Sequence, residues 1–168
     1  RNLIASGSSR DGLVIGFDTR YGSQRFAHAV ADVVNRFGIA TQTFDVAAPT
    51  PACSFAVVNQ SAANGVMITA SHNPPEWNGF KVKSAAGGSA SPEEVANIEL
   101  HLADVLDGKS SYSGTHVAQG QVFDVIGPYL EQLHRVIDVD PIKSQPLKIV
   151  VDAMHGCGAG IIPKMLAG

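Results

Sequence analysis

Cysteine is nearly absent from this chain, and the two residues present, Cys53 and Cys157, lie too far apart for a zinc-binding spacing. They make no secreted disulfide framework either, which leaves a reducing cytoplasm as the expected home. Charge is thin as well: 16% of the 168 residues are Asp, Glu, Lys or Arg, and the net charge is -3. That balance offers no basic field for nucleic acid, so an anionic ligand would have to be held by a few local cations. No stretch approaches the roughly 20 apolar residues of a membrane span, and nothing at the start reads as a signal peptide. Neither nucleic acid nor a membrane is therefore an expected partner. An initiator Met is missing too, and the chain opens abruptly at Arg1 and stops soon after Pro163. Both ends read as cuts through a longer polypeptide.

What is present is a 45% hydrophobic sequence of ordinary α/β composition, long enough for one domain and a little more. Leu13 to Phe17 is a β-branched run that predicts a strand. Ser23 is the expected N-cap of a helix in which Phe26, Val30, Val33, Val34 and Phe37 recur at helical spacing, with Gly38 as its stop. Ile39 to Phe44 predicts a second strand, Pro49-Thr50-Pro51 opens a second helix through Cys53, Phe55, Val57 and Val58, and Val66 to Ile68 predicts a third strand. Gly79 to Val82 is expected as an antiparallel neighbour or edge. Ser91-Pro92-Glu93-Glu94 has the residues of a capping box and starts a helix to about Leu106. Polar residues from Asp107 to Gln121 read as an excursion, and Val122 to Ile137 as a further helix. Leu147 to Asp152, followed by Gly156 to Gly160, predicts a strand turning into another helix. The alternation implies an α/β fold: a three-layer α/β/α domain over 1–140, its mixed and mostly parallel sheet joined by right-handed βαβ crossovers. Residues 141–168 are expected to be the first βα unit of a second, similar domain.

Chemistry concentrates where the third predicted strand ends, in Thr69-Ala70-Ser71-His72-Asn73-Pro74-Pro75-Glu76-Trp77-Asn78-Gly79-Phe80-Lys81. Asn73-Pro74 and Asn78-Gly79 each signal a turn. Open parallel sheets bind ligands just outside the carboxyl ends of their strands, so Ser71, His72 and Asn73 stand where such a fold puts its site, with Lys81 returning nearby. A serine hydrolase is disfavoured: Ser71 lacks the Gly-x-Ser-x-Gly elbow, and adjacent Ser71 and His72 in extended chain would point apart. A dinucleotide site at Gly156 to Gly160 fails at the sixth position of the fingerprint, which is Ile161.

Thr69 to Pro74 followed by Asn78 to Lys81 resembles the phosphoserine loop of the α-D-phosphohexomutases, the phosphoglucomutase and phosphomannomutase family. Val14 to Arg20 is similar to that family's Gly-x-Asp-x-Arg segment, Thr50-Pro51 to its Thr-Pro, and Val150 to Asp152 with Gly156 to Gly160 to the opening of its second domain. The resemblance implies that Ser71 carries a transferable phosphate and that Lys81 is the acid/base. It further implies that His72, Asn73 and Arg20 contact phosphate, and that Mg²⁺ binds through the phosphate on Ser71. The implied reaction interconverts hexose 1-phosphate and hexose 6-phosphate, glucose or mannose, through a hexose 1,6-bisphosphate. Gly79-Phe80-Lys81 favours these sugars over glucosamine, for which the family usually has Gly-Ile-Lys. Family members have four domains, and the metal loop, sugar-choosing loop and distal phosphate loop are not found here. The remaining domains of the same chain are thus expected partners, and the 168 residues alone are expected to be inactive. The competing class is a non-catalytic module that binds a sugar phosphate or a partner domain.

Plainer roles stand beside these. Ser71 without its neighbours would be a turn serine, His72 could serve only to hold the loop, and Arg20 could pair with Asp18. Lys81 could be a solvated strand lysine, as Lys83 is expected to be. Trp77 could pack or stack on a sugar. His28, His101 and His134 fall in helical segments, His116 in a polar loop and His155 in the glycine turn.

Overall fold

The computed structural model describes residues 3, 7, 11–109 and 117–167. Five strands, β1 (Leu13–Phe17), β2 (Thr41–Phe44), β3 (Asn64–Ile68), β4 (Phe80–Lys83) and β5 (Gly120–Phe123), form one sheet in the order β4-β3-β1-β2-β5. Pairing is parallel between β1 and β2, β1 and β3, and β2 and β5; β4 alone runs antiparallel, on the outside of β3. All five residues of β1 are buried, as expected of a central strand covered on both faces. The chain places β2 on one side of β1 and β3 on the other, so the order reverses between β1 and β3. That reversal opens a crevice at their carboxyl ends.

Helices α1 (Ser23–Arg36), α2 (Thr50–Asn59), α3 (Pro92–Leu106) and α4 (Ile126–Val136) cover the sheet, followed by the short α5 (Asp140–Lys143) and α6 (Ile161–Leu166). On one face α2 sinks Ala52, Cys53, Ala56 and Val57 into the core. Its approach to β3 is so close that a Cβ on Gly65 would meet Val57 Cγ2 at 2.4 Å. The rings of Phe55 and Tyr129, 6.0 Å apart, bring α4 onto α2, and Ile161 and Met165 of α6 pack with Leu130 and Leu133 of α4. On the other face α1 uses the small Ala27 and Ala31 to reach the sheet. Beside it α3 buries no residue, leaving a cleft of about 340 Å³ walled by Val34, Val66, Val82, Ile98 and Leu102. The capping box of α3 forms as expected, with the Ser91 hydroxyl accepting from the Glu94 N–H at 3.2 Å and the Glu94 carboxylate accepting from the Ser91 N–H at 2.8 Å.

Four expectations change. The helix predicted from Val122 begins at Ile126, because Gly120–Phe123 is a strand in register with Thr41–Phe44. The Asp124 carboxylate closes the turn between them by accepting from the N–H groups of Ile126 and Gly127 at 2.9 and 3.0 Å. Ser23 is not a cap: Gly22 occupies the N-cap with φ 77°, and Ser23 is a fully buried first helical residue. Lys83 is buried rather than solvated, its Cβ lying beside Gly65 under α2. Finally, Leu147 to Asp152 makes no strand; among the described residues no neighbour offers it a ladder, and Val150 stays 86% exposed. Of the helix tail expected at Asn2 to Ala5 only Leu3 is described, helical and partly buried against the core. His116 and most of the Ser6 to Gly12 link lie outside the described residues. No helix among the described residues is long and apolar enough to cross a membrane.

Candidate functional site: a serine loop wound on an arginine

After Ile68 the β3 ladder gives way to a loop whose ends are tied, the Thr69 N–H donating to the Gly79 carbonyl at 3.0 Å. Only glycine fits at 79, since a Cβ there would stand 2.7 Å from the Thr69 oxygen. The Asn78 side-chain oxygen accepts from the Gly79 N–H at 2.9 Å, which is the turn that Asn-Gly announces. Inside the loop, the Thr69 hydroxyl accepts from the Ser71 N–H at 3.0 Å, the Asn73 N–H donates to Ala70 and the Trp77 N–H to Pro74. Ser71 itself has φ 58°, a left-handed conformation that costs a non-glycine residue on the order of 1 kcal/mol and persists only where its surroundings enforce it.

The enforcing group comes from the turn after β1. Arg20 Nη2 donates to the carbonyls of Ser71 and Asn73, both at 2.7 Å, and Nη1 to those of Pro74 and Trp77 at 2.8 and 3.1 Å. Its Nε lies 3.2 Å from Asp18 Oδ2. Four hydrogen bonds from the two terminal nitrogens and the ion pair at Nε thus occupy all three nitrogens of the guanidinium. Asp18 is oriented in turn: Oδ1 accepts from the Ser23 hydroxyl at 2.7 Å and from the Arg20 N–H at 3.1 Å. Ser23 Oγ accepts from Asn78 Nδ2 at 2.8 Å, which returns the network to the loop.

The functional side chains lie on the outside of this construction. Ser71, His72, Asn73 and Lys81 are all exposed, so the loop presents them together with their polar ends toward solvent. Lys81 is the second residue of β4, opposite Met67, and its ammonium has no ionic or hydrogen-bond partner among the described residues. The backbone N–H of His72 is likewise without an acceptor there. These are donors that a phosphate on Ser71 could use. Trp77 is 61% exposed, held by its backbone rather than packed. Arg20, expected to touch phosphate, directs both terminal nitrogens to the loop carbonyls and its Nε to Asp18. Among the described residues no three His, Cys, Asp or Glu side chains converge.

Asp18 pairs with Arg20 as its sequence position allows, whereas Ser23 joins the site through Asn78, 55 residues away, which no local pattern announces. The one available signal was the Gly-x-Asp-x-Arg segment itself, whose acid and base sit two residues apart at a strand's carboxyl end.

Fold and loop together define an α/β domain that displays a strained, exposed serine hydroxyl at the switch point of a mostly parallel sheet. Residues 2–107 match the phosphoglucomutase/phosphomannomutase alpha/beta/alpha domain I. The chain is 32% identical to a phosphoglucomutase of Staphylococcus haemolyticus, over 98% of this chain and 31% of that protein. It is also 32% identical to a phosphoglucomutase/phosphomannomutase of Thermococcus kodakarensis, over 98% of this chain and 35% of that one. A crystal structure described as a phosphomannomutase of Thermus thermophilus superposes with a TM-score of 0.85 at 32% identity, covering 99% of this chain and 36% of that one. The chain belongs to the phosphoglucomutase/phosphomannomutase family. It spans about a third of the length of the curated relatives it matches.

Proposed function

We propose that this sequence is the phosphoserine-bearing part of a longer phosphohexomutase that interconverts hexose 1-phosphate and hexose 6-phosphate, with glucose or mannose as the sugar. The observation that carries this reading is the exposed Ser71, held at φ 58° just past the carboxyl end of β3, with the exposed Lys81 on the neighbouring strand β4 and without an ionic partner among the described residues. In the first half-reaction a sugar hydroxyl attacks the phosphorus on Ser71; the new O–P bond forms as the bond to Ser71 Oγ breaks. The hydroxyl gives up a proton and Ser71 Oγ takes one, so the step balances without a co-reactant, and Lys81 is the acid/base that exchanges it. The hexose 1,6-bisphosphate then turns round and returns its other phosphate to Ser71.

A phosphoserine adds about -1.5 to -2 charge near neutral pH. The Lys81 ammonium, His72, the Asn73 side chain and the His72 N–H, which has no acceptor among the described residues, supply the local offset that a chain of net charge -3 does not supply globally. Alignment of donor and acceptor contributes more, roughly 7–11 kcal/mol when complete, and an open loop by itself aligns nothing. The 168 residues alone are therefore expected to be inactive, with the remaining domains of the polypeptide closing the site. The decisive experiment is incubation of the full-length protein with glucose 1,6-bisphosphate followed by peptide mass spectrometry. Phosphate on the Ser71 peptide, lost together with turnover in Ser71→Ala, is the expected result. No covalent phosphate at Ser71, or normal turnover by Ser71→Ala, would replace this reading with that of a non-catalytic binding module.

A further inference from the structure

We infer that Arg20 is a positioning residue: its guanidinium is the former on which the Ser71 loop is wound, and it acts on phosphoryl transfer through the loop backbone rather than by touching phosphate. The catalytic consequence rests on the role proposed for Ser71; the mechanical one does not.

The geometry is specific to arginine. Four carbonyls from a seven-residue span, those of Ser71, Asn73, Pro74 and Trp77, converge on one planar group at 2.7 to 3.1 Å. A lysine ammonium has three donors on a flexible stem and cannot satisfy four acceptors spread around a plane. The Nε edge forms an ion pair with Asp18, whose other oxygen is held by Ser23, so the guanidinium is also held from behind. The sequence of the loop suits this arrangement. In a trans peptide the C=O and the following N–H point in opposite directions, so a carbonyl turned inward to Arg20 turns the next N–H outward. Residues 74 and 75, which follow two of the four carbonyls, are both proline and have no N–H to leave unsatisfied. After the Ser71 carbonyl the outward N–H is that of His72, which is free of protein acceptors among the described residues. Arg20 thus draws the negative ends of the loop's peptide dipoles inward and leaves the His72 donor, next in sequence to the exposed Ser71, turned away from the guanidinium.

Two variants of the full-length enzyme test this, Arg20→Lys and the milder Asp18→Asn, which keeps the guanidinium and removes what orients it. Hydrogen exchange read by mass spectrometry should accelerate about tenfold or more in the peptide holding the Asn73, Trp77 and Gly79 N–H groups of Arg20→Lys, with the β1 and β3 peptides unchanged. In steady-state kinetics kcat should fall on the order of 100-fold with KM for the hexose phosphate nearly constant, the pattern of lost alignment. Asp18→Asn should move both readouts the same way by less, and it decides the matter alone if Arg20→Lys does not fold. Unchanged loop exchange in the folded variants would overturn the inference, as would a rise in KM at constant kcat, which would put Arg20 on the substrate. Failure of Ser71→Ala to abolish turnover would instead remove the catalytic reading and leave the exchange result standing.

Discussion

Two stretches of this chain share one grammar, a β-branched run leading into a glycine-containing turn and a helix, and they end up in opposite states. Leu13–Phe17 is a central strand, hydrogen-bonded on both edges and buried along its whole length. Leu147 to Asp152 is at least as rich in β-branched residues, yet it lies exposed and unladdered among the described residues, although the helix after its turn does form at Ile161–Leu166. The difference is partnership. A strand's N–H and C=O groups need neighbours, and propensity for extended backbone supplies none. The first stretch has β2 and β3 within reach; the second has none among the described residues, and only α6 finds a surface, on α4.

The comparison breaks first at Ile15. Truncating this fully buried residue to alanine should cost about 2–5 kcal/mol in denaturant unfolding of the 168-residue chain. The next test uses the cysteines, one beside each stretch. Burial pushes the Cys53 thiol up from 9.0 to about 12, offset in part by Lys83 and by a hydrogen bond with the Gly16 backbone. Cys157, half-buried in the second turn, is also raised, by burial and then by the Asp18 carboxylate. For Cys53 the sign follows from linkage. Below pH 9 the thiol is protonated in folded and unfolded chains alike and its contribution is complete. Between 9 and about 12 only the unfolded chain gains by losing the proton, so stability falls by about 1.4 kcal/mol per pH unit, about 4 kcal/mol in all. Unfolding curves across this range should show that slope in the natural chain and lose it in Cys53→Ala. The smallest effect is expected at Val150, where Val150→Ser should change stability by no more than about 0.5 kcal/mol. A loss there rivalling that at Ile15 would mean that residues 147–152 are paired in solution.

The same reasoning explains what could be read in advance. Strands β1 and β3, helix α2 and the capping box at Ser91 were legible because each is dictated locally, by β-branched runs, Pro at the first helical turn or a side chain reaching three residues. The serine loop was legible because Asn-Pro and Asn-Gly are turn chemistry and because a strand's carboxyl end is where an α/β sheet places ligands. Strand β5 was not: Val122 also fits a helical period with Val125 and Tyr129, and only the edge of β2 resolved the ambiguity. Serine before a helix is usually a cap, and only the presence of Asp18 and Asn78 on either side makes Ser23 a bridge. Arg20 was legible as a cation able to pair with Asp18, and that pair forms; the four loop carbonyls that its terminal nitrogens also meet were not, because nothing in the linear order places residues 71 to 77 beside it.

By itself the amino-acid order determined where the chain turns, which faces are apolar, and that an alcohol, an imidazole, an amide and an amine gather within eleven residues. Tertiary structure decided the rest: which extended runs become strands, which cation is spoken for, and which is left open to a ligand. The physical reason is one of range. Turn and cap preferences are settled between neighbours a few residues apart, whereas a hydrogen-bond donor's availability depends on every acceptor folding brings to it, here across more than fifty positions.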